Sequence, residues 1–121
     1  MLVAYCAQDK SINSQLDSRF GRCSFFILAD SEKGEELEVI TNQSSSASGG
    51  SGPQSAQLLA EKNVKAVVAG NFGPNAVKAL KAAGIAIYTA KEMSVKEAIK
   101  KFQHNELQKV DDATVESHHG I

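Results

Sequence analysis

The run SRFGRC, residues 18–23, sets two guanidinium side chains, Arg19 and Arg22, on either side of Phe20 and Gly21, with the thiol of Cys23 directly after. Paired guanidinium groups grip anions through charge-assisted hydrogen bonds, and a glycine between them lets the backbone approach whatever they hold. The same residues also fit a surface loop with solvated arginines and Phe20 as a packing plug.

Gly52–Pro53 and Gly73–Pro74 repeat a second device. Each pair opens a stretch with apolar residues at helical spacing. Proline at the first helical position gives up an amide that has no partner there, and glycine keeps the entrance bare. Helix entrances carry unpaired amides and the positive end of the helix dipole, so they receive anions. Gly70, Asn71 and Phe72 lead into the second pair, while Gly49 and Gly50 belong to the Ser/Gly stretch NQSSSASGGSG ahead of the first. The candidate binding set is therefore Arg19, Gly21, Arg22, Cys23, Gly49, Gly50, Gly52, Pro53, Gly70, Asn71, Phe72 and Gly73.

Soft ligands are few. Cys6 sits in an apolar run, where a free cysteine behaves as a small hydrophobe, whereas Cys23, beside an arginine, is the thiol placed to act as thiolate. His118 and His119 in the tail could supply a ligand pair; Met93 reads as a gap-filler and His104 as a solvent-facing helix end. No Cys-x-x-Cys pair, His-Glu-x-x-His motif, Walker loop or dinucleotide fingerprint occurs. That disfavours a closed zinc site and the common nucleotide-phosphate loops.

Composition narrows the class. The chain has 121 residues and is 42% hydrophobic, the size of one domain with a real core. Thirteen basic and fourteen acidic side chains nearly cancel, so there is no general field for nucleic acid or an anionic membrane, and recognition of an anion must be local. No stretch has the length of a membrane span, and the N-terminal residues do not have the layout of a secretory signal. The expectation is a cytoplasmic protein with reduced thiols.

These groups need elements to position them. MLVAYCA and CSFFILAD read as strands covered on both faces, and DSEKGEE as a hairpin turn into the strand ELEVIT. Helix, strand, helix, strand and helix follow: PQSAQLLAEKN, VKAVVAG, PNAVKALKAAG ending at Gly84, IAIYTA, and SVKEAIKKFQHNEL with Ser94 and Glu97 as a capping box. The predicted fold is α/β, three-layer α/β/α, with a mixed five-stranded sheet resembling the ribonuclease H-like motif. The domain spans 1–103, and 104–121 is expected to be a flexible tail. With strand one parallel to the later strands, residues 7–22, 41–52, 70–73 and 90–93 all fall on one sheet edge, the carboxyl edge where open α/β sheets bind ligands. Nuclease chemistry is disfavoured, because strand one bears no carboxylate and Asp30 falls at the opposite edge.

Together, the first strand, SRFGRCSFFI, the segment GSGPQSAQLLAEKNVKAVVAGNFGPNAVKALKAAGIAIY and the last helix SVKEAIKKF resemble the dinitrogenase iron-molybdenum cofactor biosynthesis family. The resemblance implies a ribonuclease H-like domain that binds or carries an anionic iron-sulfur or molybdenum-containing cluster and is not an enzyme. Its implied partners are the cluster and cluster-assembly or nitrogenase-like proteins. By position, Arg19, Gly21 and Arg22 match the family's phenylalanine-glycine-arginine motif, and Gly52, Pro53, Gly70, Gly73 and Pro74 match its glycine-proline turns. The family often has histidine or glycine where this chain has SSSASGGS, so no metal ligand carries over to that loop. The same helix entrances would also suit a sensor of small anions or nucleotides, the alternative function.

Overall fold

The computed structural model describes residues 1–43 and 51–111. The strands and helices run β1 (Leu2–Ala7), β2 (Phe25–Asp30), β3 (Glu36–Thr41), α1 (Ser51–Glu61), β4 (Ala66–Ala69), α2 (Pro74–Ala82), β5 (Ala86–Thr89), α3 (Val95–Gln103) and β6 (Gln108–Val110). They form one sheet in the order β3-β2-β1-β4-β5-β6. β2 is antiparallel to β1 and β3, whereas β4 is parallel to β1 and β5.

Alternation along the strands feeds two cores. Ala4 and Cys6 of β1 and Phe26 and Leu28 of β2 face α1 and α2, where Leu59 and Leu80 are wholly buried. Val3, Tyr5 and Ile27 face the other way, against Val95, Ala98 and Ile99 of α3. Phe25 and Phe26 thus serve opposite layers. Each fully buried aliphatic or aromatic side chain contributes about 1.5–3 kcal/mol. The fold is the expected three-layer α/β/α arrangement of ribonuclease H-like type.

The sheet has six strands, not five. Gln108–Val110, inside the segment expected to be a flexible tail, pair antiparallel with β5, and Val110 covers the core beneath α2. Three residues are too few to show a period in sequence. Local signals account for the other boundaries. Gly34 (φ +69) turns the β2–β3 hairpin, Gly84 (φ +75) follows α2, and the Ser94 side chain accepts from the Glu97 amide at 3.1 Å to cap α3. α1 begins at Ser51, so Pro53 is its third residue and not its first. Its missing amide is still one that no helical carbonyl would have met. Among the described residues no helix is long and apolar enough to cross a membrane.

Candidate functional site

The long connection after β1 is stitched across the carboxyl edge of the sheet. Leu16 returns antiparallel to Ala7, and the Asp17 amide donates to the Cys6 carbonyl at 2.7 Å. The Gly70 amide then donates to the Asp17 carbonyl at 3.1 Å, and the Phe20 amide to the Asn71 carbonyl at 3.1 Å. On the α3 side, Leu16 and Val95 bond to Met93 and Ser14. This path needs glycine at 70, because a Cβ there would lie 2.7 Å from the Ser18 Cα.

Phe20 is the anchor. Its ring is buried, 5.3 Å from Phe72 and 5.9 Å from Phe26, so the arginines on either side of it are held out at the surface. Gly21 then turns at φ +94, and its Cβ position lies 3.0 Å from the Gly52 amide nitrogen in the first turn of α1. Gly52 in turn lies against Ala76 of α2: a Cβ on Gly52 would stand 3.0 Å from the Ala76 Cβ. The arginine turn, the α1 entrance and the α2 entrance therefore stand in a row. Neither entrance has an acidic residue in its first turn, and the α2 cap, Gly73, makes no side-chain hydrogen bond. Asp17 brings a carboxylate to this rim: its Oδ1 accepts from the Arg19 amide at 2.9 Å and lies 3.7 Å from Arg19 Nε. The arrangement can hold an anion between guanidinium groups and helix-entrance amides.

The residues named from sequence divide into three groups. Arg19, Gly21, Arg22, Gly52, Pro53, Gly70, Asn71 and Gly73 meet along this edge. Phe72 does not face it; its ring is wholly buried and stacks on Phe20. Cys23 is likewise buried, its carbonyl and Sγ both met by Asn42 Nδ2 at 3.0 and 3.9 Å. Burial pushes the neighbouring Cys6 thiol well above its ordinary value, and the adjacent Cys23 and Asp17 add to the shift. Both thiols are buried in the core and neither reaches the rim. Gly49, Gly50, His118 and His119 lie outside the described residues. His104, at the end of α3, is exposed with its ring bonded to the Lys100 carbonyl, and Met93 packs under the α3 layer.

Two residues escaped the sequence reading. Asn42 was grouped with the Ser/Gly stretch, yet it is 2% exposed and bonds the arginine turn to Ser55 of α1. Asp17, in the loop after β1, carries no motif in the sequence that marks it for this edge. A polar residue directly after a clean strand was the available signal for Asn42. Beside the rim, a hollow of about 340 Å³ lies over β1, β4 and β5, lined by Leu16, Asp17, Gly70, Asn71, Ala90 and Glu92 among others. A larger hollow of about 670 Å³ between β3 and α1 has no charged residue in its described lining. Among the described residues no three of His, Cys, Asp and Glu gather as a metal site.

Fold and rim define a class: a three-layer α/β domain whose carboxyl edge gathers an arginine turn and two helix entrances. Residues 1–105 match the family described as dinitrogenase iron-molybdenum cofactor, and the chain belongs to it. An uncharacterized protein of Methanocaldococcus jannaschii is 37% identical over 101 residues, covering 82% of this chain and 86% of the relative. The apo form of the orange protein from Desulfovibrio gigas superposes with a TM-score of 0.88 at 28% identity, covering 94% of this chain and 96% of that one. A NifB-like protein of the DUF35 family from Thermotoga gives a TM-score of 0.81 at 36% identity, covering 94% and 97%.

Proposed function

We propose that this chain is a non-catalytic carrier for an anionic metal-sulfur cluster, an iron-sulfur or molybdenum-containing sulfide, which it holds at the rim and passes to a cofactor-assembly or nitrogenase-like partner. One observation carries the reading: Gly21, Gly52 and Ala76 bring the arginine turn and both helix entrances into contact. Membership of the iron-molybdenum cofactor family and the likeness to an orange protein solved in its apo form support it.

The donor set selects the mode of binding. With both cysteines buried and no three-residue metal cluster among the described residues, the cargo's own sulfides complete its coordination, and the protein holds it from outside by amides and guanidinium groups. Such a hold suits an intact preformed cluster that must later leave.

Anaerobic reconstitution with iron or molybdate plus sulfide tests this. The loaded protein should show visible absorption bands and a fixed metal-to-protein ratio. Arg19→Ala and Arg22→Ala together should lower the loading at least several-fold in a protein that still folds, both side chains standing at the surface and the loss of the Arg19–Asp17 pair lowering Tm only modestly. A colourless, metal-free product under every condition would overturn the proposal, and stabilisation by nucleotides in its place would favour the anion-sensor alternative.

A further inference from the structure

Resting on that carrier reading, we infer that Asn42 is the positioning residue of the rim: its buried carboxamide fixes the arginine turn against the first turns of α1.

This side chain ties the arginine turn to α1. Nδ2 donates to the Gly21 carbonyl at 3.2 Å and to the Cys23 carbonyl at 3.0 Å, on both sides of Arg22. Oδ1 accepts from the Ser55 hydroxyl of α1 at 3.1 Å. The Asn42 main-chain amide donates to the Ser24 carbonyl at 3.0 Å, which fixes the end of β3 beside the same turn. Asn42 is 2% exposed and Ser55 wholly buried.

A core alone does not ask for this. An apolar side chain at 42 would fill the space as well, whereas a buried carboxamide costs about 1–3 kcal/mol unless its hydrogen bonds are made. What the polar group adds is direction. The Gly21 carbonyl is aimed inward because the residue turns at φ +94, and Asn42 catches it there. The same side chain reaches Ser55, one helical turn past the entrance of α1. The separation between Arg22 and the α1 amides is thereby set by one rigid planar group. Pre-set donors do not have to be gathered when the guest arrives, and a lower ordering cost appears as affinity. The entrance of α2 is tied to the arginine turn by contacts of its own, the Phe20 amide on the Asn71 carbonyl and the Phe20 ring on Phe72, and to α1 where Gly52 meets Ala76.

The test is titration of the full chain with tetrathiomolybdate, the simplest molybdenum sulfide anion, followed at backbone amides by NMR. In the unmodified protein the amides of Gly21, Arg22, Gly52 and Ala76 should shift together. Asn42→Leu keeps the volume and removes the polar group; it should raise Kd about tenfold, silence Gly21, Arg22 and Gly52, and leave Ala76 responsive at high concentration. Loss of all four responses in the same proportion, or a Kd within twofold of the unmodified protein, would overturn the inference. If Asn42→Leu does not fold, Ser55→Ala decides by the same criteria, since it cuts the tie to α1 and leaves the two bonds to the turn. It should raise Kd at least threefold. If the unmodified protein shows no shift with tetrathiomolybdate while reconstitution also fails, the carrier reading falls and this inference with it; binding in the unmodified protein with no change in the variants removes the inference alone.

Discussion

Arg19 and Arg22 are held out on either side of a buried ring, while the two thiols of the same neighbourhood are turned inward, and this division decides what each residue type can do. Cys6 and Cys23 are wholly buried beside each other and pack in the core. Their burial has a thermodynamic consequence. The Cys6 thiol is raised well above its ordinary 9.0, first by burial, then by Cys23 and Asp17, and the buried Tyr5 phenol is raised above its ordinary 10.0. Above about pH 9 the unfolded chain gives up the Cys6 proton and the folded chain keeps it, so the unfolded state binds fewer protons and stability falls as pH rises. Each retained proton sets a slope of up to about 1.4 kcal/mol per pH unit. Unfolding free energies from urea titrations between pH 7 and 10.5 should stay level to about pH 9 and then decline. In Cys6→Ala the decline should begin about one unit later, where Tyr5 takes over. A flat profile to pH 10.5 would show that the thiol titrates normally. From sequence, the arginines and Gly21 were legible because charge and backbone freedom are properties of residue type. The inward turn of Cys23 was not, because it depends on Asn42, a partner nineteen positions away.

At the scale of elements, the entrance of α2 is the part of the site most open to a decisive substitution. Gly73 caps the helix at φ −79, ψ 168, the extended geometry that serine or aspartate also adopts at this position, and nothing lies within 4 Å of where its Cβ would stand. A capping side chain would fit, and in a helix serving only the fold it would be favourable by a few tenths of a kcal/mol. Gly73→Ser should therefore raise Tm slightly, since its hydroxyl can accept from an amide of the first turn. It should also weaken anion uptake, because that amide is then engaged. Opposite signs in thermal melting and in tetrathiomolybdate titration would show that the bare entrance serves a guest; tighter or unchanged binding would show that it does not. Helices and inner strands were readable because their periods are long enough to see, and Ser94, Gly34 and Gly84 mark their ends by conformations few other residues provide. α1 begins two residues ahead of Pro53, the residue whose type marks a first helical position, because proline is equally free of penalty at the third.

Across the whole molecule, the position of the rim follows from strand direction. Once β1 runs parallel to β4 and β5, every loop leaving their carboxyl ends shares an edge, and that much could be deduced before any coordinates. The sixth strand could not, since its three residues gain their conformation only from the exposed edge of β5. Its place in the sheet separates stability from binding. Ile87, Tyr88 and Thr89 pair with Val110, Lys109 and Gln108, and Val110 covers the core under α2. The Gly21–Gly52–Ala76 row is built from the arginine turn and the first turns of α1 and α2, not from β5 or β6. A chain ending after Asn105 should thus lose the β5–β6 ladder and about 1–3 kcal/mol of stability, the range of an edge strand with two half-buried aliphatic residues, Leu107 and Val110. For a domain of this size that is a fall in Tm of several degrees or more. Its Kd for tetrathiomolybdate should stay within about twofold of the full chain, measured well below the lowered Tm. A loss of uptake of tenfold or more in a chain that is still folded would instead give residues 106–121, with His118 and His119 among them, a direct part in holding the cargo. In that event the rim of amides and guanidinium groups would be only half of the site.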